Sequence, residues 1–522
     1  MKSKDSQLIT GFFVVIFLIV VIRNAWISDD AYISFRAIEN LVAGYGFNFN
    51  PFVRVQAYTH PLWALLISAI YFVQTRLLDL SRDNGLYMLV IFLSIFVSTL
   101  SVYIVFSKTN KIYSKLVFGV AIISSKAFID YSTSGLENPL TYFLLALFFL
   151  IFLSSKENLL GLTISAALIT VNRQDAILLV LPALVYHFLS VSKSWKTKIR
   201  ELVLGFSPLI LWELFSIFYY GFPFPNTAYA KLNTGVPKIS LIGQGIDYFL
   251  NSIALDPVTL LIIAFAGVAV FIEKDKKKII SYIGVLLYLA YILSIGGDFM
   301  SGRFFAAPFF IAIILFSRIS FFSEKTFLIS LAIILLFVAY TDYSPIKNIV
   351  ARKSIAIKVD LNGIEDEKAV HENFSGLTEY GIRHTAEYGS EYAGKKWIYT
   401  EKENVEMFGM LGRPAYEQGP NTYAYDFLAL SDPLLARLPA KDKVNWRIGH
   451  FWRKIPTGYH ETLKSGEIKI QEPNLAQYYE KLSYVISGPL WDSQRFIEIY
   501  KLNTGQYDYL IEKYIETPNN EK

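Results

Sequence analysis

Residues 8–36 read LITGFFVVIFLIVVIRNAWISDDAYISFR, an apolar run that ends shortly before two adjacent carboxylates, Asp29 and Asp30. Residues 8–22 contain no charged side chain, which is the composition of a helix inside a lipid bilayer. The acidic pair stands where such a helix would leave the bilayer. Charged groups at membrane depth are costly and are functional by default hypothesis, so we expect this junction to belong to a site.

Similar apolar runs recur along the first 341 residues of the 522-residue chain. They lie at 8–22, 61–75, 86–106, 113–125, 138–153, 158–170, 176–190, 201–220, 256–272, 279–295, 303–317 and 326–340. Hydrophobic residues make up 53% of the chain and charged residues 18%, against roughly 25% charged in soluble proteins. The sequence therefore predicts a polytopic α-helical membrane protein with about 11–12 apolar segments. Several segments are shorter than the ~20 residues of a full span, which predicts some tilted, kinked or re-entrant helices.

The charge distribution predicts two domains. Residues 351–522 carry 22 basic and 25 acidic side chains, whereas the first 350 residues have a net charge of +8. We expect a transmembrane catalytic domain over 1–341 and a soluble domain over 342–522. Neither part has the dense basic patch of a nucleic-acid-binding protein, so no nucleic acid is expected as a partner. The chain has no cysteine, which excludes disulfides, thiolate metal sites and cysteine nucleophiles.

The positions of Lys and Arg predict the orientation in the membrane. Basic residues collect in six segments, namely Lys2/Lys4, Lys108/Lys111/Lys115, Lys156, Lys193/Lys196/Lys198/Arg200, Lys274/Lys276/Lys277/Lys278 and Arg318/Lys325. These loops should be cytoplasmic. The intervening loops and residues 342–522 should then lie on the opposite side. This pattern needs an even number of crossings between residues 61 and 125, so one run there, 61–75 or 113–125, should not cross fully.

The predicted outer loops carry clusters of functional groups. In the first loop a predicted helix, Ala31 to Val42, follows the acidic pair and carries Arg36 and Glu39, and Tyr58 and His60 precede the next apolar run. The other loops read SGLENPL (134–140), VNRQDA (171–176), FPNTAYAK (224–231) and GGDFMSGR (296–303). Their candidate site residues are Glu137, Asn138, Arg173, Asn226, Lys231, Asp298 and Arg303.

Simpler structural roles remain open for several of these residues. Asp29 or Asp30 is suited to capping a helix, and Glu137 stands at a predicted helix start. Arg173 with Asp175, and Arg303 with Asp298, are suited to local salt bridges. Taken together, however, the carboxylates and the three basic residues suit a reaction with an alcohol nucleophile and a phosphate leaving group. Arg173, Lys231 and Arg303 would bind the donor phosphate, and a carboxylate would take the proton of the attacking hydroxyl.

The C-terminal part, 342–522, has no apolar run long enough to span a bilayer, and its frequent turn residues predict a mixed α/β domain. We predict short strands at Lys396–Thr400 and Arg495–Lys501. Residues 431–439 read SDPLLARLP and precede WRIGHF at 446–451. Ordinary packing of aromatic residues explains this composition. The functional alternative is a loop over the site, with Asp432, Arg447, His450 and Arg453 near substrate.

The motifs together resemble a known family. DDAYISFR at 29–36 is similar to the first-loop acidic motif of GT-C glycosyltransferases, which use polyprenyl-phosphate sugar donors. The ordered set DDAYISFR, SGLENPL, FPNTAYAK, GGDFMSGR and SDPLLARLP followed by WRIGHF resembles the bacterial terminal β-arabinofuranosyltransferases. The chain is rich in Ile, Lys, Phe and Tyr, unlike the Ala- and Arg-rich mycobacterial members.

This resemblance implies a GT-C fold in the bacterial inner membrane with a periplasmic C-terminal domain. It implies an inverting transfer of a sugar, above all arabinofuranose, from a polyprenyl-phosphate donor. Asp29 matches the catalytic base of the loop motif, and Asp30 matches the second acidic residue. The remaining substrate-binding candidates are Arg36, Tyr58, His60, Glu137, Asn138, Asn226, Asp298, Arg447 and His450.

The acceptor, the cofactor and one alternative function stay open at this point. A lipopolysaccharide, another envelope glycan or a pilin-like surface protein would each serve as an outer-face acceptor. Two adjacent carboxylates suit a Mg²⁺ or Ca²⁺ ion, with Asp30 as the candidate ligand, although basic residues supply positive charge without a metal. The alternative functions are a transporter or flippase, or a ligase, of lipid-linked glycans. Transporters often show internal repeats, and the sequence shows no two-fold repeat.

Overall fold

The computed structural model describes residues 2–78, 85–109, 111–154, 157–320, 323–347, 362–378 and 397–516. Up to residue 347 the helices are α1 (Lys2–Arg23), α2 (Asp29–Ala43), α3 (Pro61–Phe72), α4 (Gly85–Ser107), α5 (Ile112–Ser124), α6 (Lys126–Asp130), α7 (Asn138–Phe152), α8 (Leu159–Asn172), α9 (Ile177–Ser190), α10 (Trp195–Tyr219), α11 (Asn226–Leu232), α12 (Lys238–Leu255), α13 (Pro257–Glu273), α14 (Lys276–Ile295), α15 (Ala306–Phe316) and α16 (Glu324–Tyr340).

The later elements are α17 (Glu367–Ser375), β1 (Asn404–Phe408), α18 (Arg413–Glu417), β2 (Thr422–Asp426), α19 (Tyr459–Ser465), α20 (Pro473–Ser487), α21 (Ser493–Asn503) and α22 (Asp508–Glu516). A π-helical turn over Val73–Leu77 continues α3. Short 3-10 turns lie at Gln174–Ala176, Arg303–Phe305 and Leu435–Arg437. The helix predicted at Ala31 to Val42 is confirmed as α2.

The prediction of a helical membrane protein is confirmed. Among the described residues, four helices are long and apolar enough to cross a bilayer, namely Lys4–Arg23, Gly85–Ser107, Trp195–Tyr219 and Lys276–Ile295. The pair α12 and α13 adds a fifth if it is one broken span, since the two helices meet at an angle of 106°. Six shorter apolar helices coincide with other predicted segments, and the tilted, kinked or re-entrant arrangement expected for such segments stays a prediction.

The chain forms two compact units, each drawn from separate stretches of sequence. Unit 1 comprises Met1–Ser28, Tyr87–Leu209 and Lys238–Gly389, and unit 2 comprises Asp29–Leu86, Ile210–Pro237 and Ser390–Lys522. The division falls between Ser28 and Asp29, directly before the acidic pair. Unit 2 therefore joins the first predicted outer loop to most of the C-terminal part. This division does not test the predicted boundary between the transmembrane domain and the soluble domain at residues 341 and 342, which stays a prediction.

In unit 1, long helices pack closely and their ends are capped. Helix α14 packs against α9, where Gly284 faces the backbone of Leu179 so closely that a β-carbon would clash. Small residues allow this kind of approach between membrane helices. The Asp275 side chain accepts a hydrogen bond from the Lys278 N–H at the start of α14 (3.0 Å), and Gly296 ends this helix with a left-handed φ of 88°.

In unit 2, two short strands and several helices pack around apolar side chains, which form a larger and a smaller cluster among the described residues. Strands β1 and β2 pair in parallel, from Asn404 opposite Thr422 to Phe408 opposite Asp426, and α18 lies between them in sequence. The larger cluster brings side chains from the first loop and from 222–230 together with many between 425 and 514. Burial of such apolar side chains is the main stabilising contribution in a domain of this kind.

Both predicted strands in the C-terminal part were wrong. Residues 397–400 have no regular structure, and Lys396 lies outside the described residues. Arg495–Lys501 lies inside helix α21, because Arg495, Glu498 and Ile499 share one buried face at helical spacing. The described part of 342–522 contains mainly helices with one two-stranded sheet, so a mixed α/β domain is not confirmed.

Candidate functional site

Asp29 is the first residue of α2 in unit 2, and its carboxylate is held by backbone groups. Asp29 Oδ2 accepts a hydrogen bond from the Gly412 N–H (3.0 Å), and Oδ1 accepts one from the Arg413 N–H (2.8 Å). These N–H groups open helix α18, where the helix dipole favours a negative charge. Gly412 lies so close to the Asp29 backbone that a β-carbon would clash there. Asp29 is therefore fixed in one orientation.

Asp30 differs from its neighbour. Its side chain is half-buried, and within the described residues its carboxylate has no hydrogen-bond or ion-pair partner. Asp30 is electrostatically coupled to His450, another candidate of unit 2. The His450 Nδ1 lies 3.2 Å from the carbonyl oxygen of Ile448, a distance at which an Nδ1–H group would donate to that carbonyl.

Three other predicted residues contribute to the electrostatic environment of His450. Burial lowers the pKa of His450, and Arg447 lowers it further, whereas the Ile448 carbonyl and Asp30 raise it. Lys231, which is exposed, also lowers this pKa. His450 is therefore biased towards the neutral form, with cationic groups and one carboxylate in its neighbourhood. Asp30, Lys231, Arg447 and His450 form what we call the unit 2 cluster.

The Arg36 side chain forms hydrogen bonds within the protein. Its side chain is fully buried, and its guanidinium donates to backbone carbonyls. Nε donates to Phe49 (2.9 Å), Nη1 to Ala415 and Gly419, and Nη2 to Thr422 (2.6 Å). These bonds join the first loop to the segment around α18. The predicted substrate contact of Arg36 stays a prediction, but its donors are engaged within the protein.

Tyr58 and His60 also bond within unit 2. The hydroxyls of Tyr58 and Tyr220 lie 2.6 Å apart, and the Tyr220 hydroxyl donates to the Phe47 carbonyl (2.7 Å). His60 Nε2 lies 2.8 Å from the Ser34 hydroxyl. Both predicted residues are buried, so they hold the return of the first loop to α3 in place.

Asn226 supports the segment between β2 and the later helices. Its amide donates to the carbonyls of Ala429 (2.9 Å), Leu430 (3.2 Å) and Asp432 (3.1 Å). Asp432 is buried and accepts from the Leu435 N–H (2.8 Å) and the Tyr459 hydroxyl (2.7 Å). Burial raises the pKa of Asp432 to about 7. Two of the sequence motifs, FPNTAYAK and SDPLLARLP, therefore meet through these bonds.

The candidates of unit 1 form a second cluster, a row of five alternating charges. Arg173 pairs with Asp175 through two bonds (2.6 and 3.0 Å) and with Glu137 (2.6 Å). Arg303 lies 3.4 Å from the same Glu137 oxygen and 3.5 Å from Asp298. The order is thus Asp175, Arg173, Glu137, Arg303, Asp298. We call this set the charge row.

Both salt-bridge alternatives from the sequence are confirmed, and a longer connection is added. Arg173 pairs with Asp175 and Arg303 with Asp298, as the sequence allowed. Glu137 stands at the N-cap position of α7 but its side chain makes no capping bond, and it joins the two arginines instead. Asn138 is buried at the first position of that helix. The phosphate-binding roles of Arg173, Lys231 and Arg303 stay predictions.

Two features of the site were not among the sequence predictions. The Gly412–Arg413 contact with Asp29 was missed, although Gly-Arg-Pro at 412–414 is a typical helix start. The central position of Glu137 between two arginines was also missed. As for a metal, no three His, Asp or Glu side chains in the described part of the chain lie together as a metal-binding group. A divalent cation at Asp30 stays an open prediction.

Comparison with known proteins agrees with the motifs. The chain is 23% identical over 329 residues to a protein of Mycobacterium tuberculosis named terminal β-(1→2)-arabinofuranosyltransferase. It is 26% identical over 332 residues to a protein of the same name from Corynebacterium glutamicum. The chain resembles terminal β-(1→2)-arabinofuranosyltransferases.

The similarity to these arabinofuranosyltransferases is partial. It covers 55% of this chain in both cases, and 51% and 46% of the two relatives. The chain thus spans about half the length of the curated relatives it matches. No protein-family model matches the chain. No solved structure matches it either.

Proposed function

We propose that this protein is an inverting membrane glycosyltransferase that transfers arabinofuranose from a polyprenyl-phosphate donor. The observation that carries the proposal is the similarity to two terminal β-(1→2)-arabinofuranosyltransferases. The apolar helices agree with a membrane-bound enzyme whose donor has a lipid tail. The clusters of acidic and basic side chains supply the groups that such a transfer requires.

The reaction would be a single displacement at the anomeric carbon. The acceptor hydroxyl oxygen forms a bond to this carbon while the bond from the carbon to the phosphate oxygen breaks. The hydroxyl proton passes to a carboxylate of the enzyme, and the polyprenyl phosphate leaves with the electron pair. Attack from the face opposite the phosphate inverts the configuration, and no covalent enzyme intermediate forms.

We assign the base to Asp29, with Asp30 as its neighbour. A general base needs a fixed position, and two backbone N–H groups give Asp29 that position. An ionised carboxylate has about four acceptor sites, and these two bonds use two of them. Asp30 and the rest of the unit 2 cluster would orient the acceptor, with the Asp30 carboxylate as a hydrogen-bond acceptor.

Arginines of the charge row would bind the donor phosphate, assisted by Lys231. Arg173 and Arg303 offer planar forks that match phosphate oxygens and stay charged when desolvated. Both are held by carboxylates in this structure, which keeps them oriented.

The proposed setting is the bacterial inner membrane. The basic loops would face the cytoplasm, and the charged clusters and residues 342–522 would face the periplasm. A GT-C fold with a transmembrane domain over 1–341 accommodates the lipid tail. The acceptor would be an envelope glycan, such as a lipopolysaccharide, or a pilin-like surface protein.

A reconstituted assay tests this proposal. Purified protein in liposomes is given synthetic polyprenyl-phosphate pentoses and a panel of glycan and peptide acceptors, with and without Mg²⁺ or Ca²⁺. We expect product from the arabinofuranose donor and release of polyprenyl phosphate. Movement of an intact lipid-linked glycan across the bilayer without product would instead support a flippase. Transfer of a whole preassembled glycan would support a ligase.

A further inference from the structure

Glu137 occupies the centre of the charge row. Its Oε1 atom lies 2.6 Å from Arg173 Nη1 and 3.4 Å from Arg303 Nη2, and Oε2 lies 3.5 Å from Arg303 Nη2. The Glu137 side chain is only 2% exposed. One carboxylate thus contacts two guanidinium groups, those of Arg173 and Arg303, which lie 130 residues apart in sequence.

A carboxylate held by two arginines marks a place where an oxyanion fits. Carboxylates and phosphates present oxygen atoms to guanidinium groups in similar geometry. An anion that enters this place needs both arginines to stay where they are when Glu137 leaves. Each arginine has a second carboxylate that holds it, Asp175 for Arg173 and Asp298 for Arg303.

We propose that Glu137 occupies, in the donor-free protein, the position that the donor phosphate takes. This inference rests on the proposed function, because it identifies the anion with the phosphate of a polyprenyl-phosphate donor. Donor binding then exchanges one anion for another between Arg173 and Arg303. The Glu137 side chain must turn away from both arginines for the phosphate to bind.

The charges explain why this exchange would matter. The row holds three carboxylates and two arginines, so its net charge is −1 when all five are ionised. This charge opposes the approach of a phosphate and keeps other anions out. Removal of the Glu137 charge makes the row neutral. It also takes one ion-pair partner away from each of the two arginines. Asp175 and Asp298 each pair with one arginine among the described residues, so neither can have the same effect.

The test compares Glu137→Gln with the matched control Asp175→Asn. Each change replaces one carboxylate of the row by an amide of the same shape, but only the first affects both arginines. The probe is a polyprenyl monophosphate without sugar, titrated into protein in phosphatidylcholine nanodiscs. We expect Glu137→Gln to bind the probe about tenfold more tightly than wild type, because a like charge is removed beside the phosphate. Asp175→Asn should bind the probe no more tightly than wild type, because it removes the carboxylate that orients Arg173 and leaves Glu137 in place.

Unchanged or weaker binding by folded Glu137→Gln would overturn the inference and make Glu137 a substrate ligand or a purely structural residue. An equal gain in both variants would overturn it too, since a general charge effect would then suffice. If Glu137→Gln fails to fold, Glu137→Asp keeps the charge but withdraws it by one methylene. We expect this variant to bind the probe more tightly than wild type. Equal or weaker binding would contradict the proposed exchange of Glu137 for the phosphate.

Sugar transfer by the wild-type protein is measured separately. An active wild type with the wrong binding pattern removes the role of Glu137 and leaves the proposed function standing. A wild type that transfers no sugar from any pentose donor removes the proposed function, whatever the variants bind.

Discussion

A hydrogen bond of 2.8 Å joins the Asp29 carboxylate to the backbone N–H of Arg413, which lies 384 residues later in the chain. The neighbouring Gly412 N–H binds the other carboxylate oxygen at 3.0 Å. Asp29 is therefore part of the acidic motif, and its carboxylate also binds the N–H groups at the start of α18. Asp30, one position later, has no such anchor within the described residues.

This difference gives a prediction for the two carboxylates. Asp29→Asn should abolish transfer, a loss of about 10²-fold or more, because an amide cannot take the hydroxyl proton. Asp30→Asn should lower transfer but leave measurable activity. Initial rates with the arabinofuranose donor check both, and binding of polyprenyl phosphate should persist in each.

If the two variants rank in the opposite order of activity, the general base is Asp30 and not Asp29. This outcome has a physical reason behind it, since the Asp30 carboxylate is half-buried and lacks the two N–H donors that occupy Asp29. An active Asp29→Asn beside an inactive, folded Asp30→Asn would establish it. Full activity of both variants would remove the mechanism altogether.

Arg36 should prove important for stability rather than for the chemistry itself. Arg36→Met would remove a donor from the buried carbonyls of Ala415, Gly419 and Thr422, and each carbonyl left unpaired costs about 1–3 kcal/mol. We expect a fall in the melting temperature of the detergent-solubilised protein by several degrees or more. Arg76→Met is the control, because Arg76 is exposed and donates to one carbonyl, that of Val42 (3.1 Å). Equal melting temperatures for Arg36→Met and wild type would contradict the structural role.

Local pattern in the sequence was enough for some of these features. The acidic pair followed by a periodic apolar face predicted α2, and the short spacing of Arg173 with Asp175 and of Asp298 with Arg303 allowed their pairing. The strand predicted at Arg495–Lys501 was wrong, although the segment contains the Phe, Ile and Tyr residues that strands favour. Arg495 and Ile499 are buried on the same face at helical spacing, and the segment forms a helix.

Other features depend on contacts that sequence spacing does not reveal. Glu137 reaches Arg303 across 166 residues, and Asn226 reaches the Asp432 carbonyl across 206. Arg36 was an attractive ligand for substrate because a charged residue in a membrane loop is costly. Three of its carbonyl partners, Ala415, Gly419 and Thr422, lie nearly 400 residues away in the chain, so only the folded structure identifies them.

The buried Asp432 predicts a pH dependence of stability. Burial raises its pKa from 3.8 to about 7, so between these values the folded protein keeps a proton that the unfolded chain has lost. Its contribution to stability is therefore greatest in acid and falls as the pH rises towards 7. The melting temperature of wild type minus that of Asp432→Asn should fall by a few degrees from pH 5 to pH 8.

The matched control for this measurement is Asp442→Asn. Asp442 is exposed, and the backbone N–H groups of Asn445 and Val444 hold its pKa below the usual value. Its contribution is constant above its unfolded pKa, so the difference between wild type and this variant should stay flat between pH 5 and pH 8. A flat difference for Asp432→Asn as well would show that Asp432 is ionised in the folded protein throughout.

Reporter fusions check the proposed orientation. A reporter active only in the periplasm should be silent when it is fused after Lys278 and active when it is fused after Tyr343. The reason is the cluster of four lysines between residues 274 and 278, which should stay in the cytoplasm. The opposite result at either position would overturn the topology, and with it the proposed side of both charged clusters.

Arg303→Lys separates a phosphate ligand from a structural salt bridge. Lysine keeps the positive charge near Glu137 and Asp298 but lacks the planar fork that binds two phosphate oxygens. We expect the KM for the donor to rise about tenfold while the melting temperature changes little, because the charge row stays paired. Arg318→Lys, in a loop predicted to be cytoplasmic, is the control and should leave the KM unchanged. A lower melting temperature with an unchanged KM would make Arg303 a structural residue, and wild-type behaviour in both measurements would remove it from the donor site.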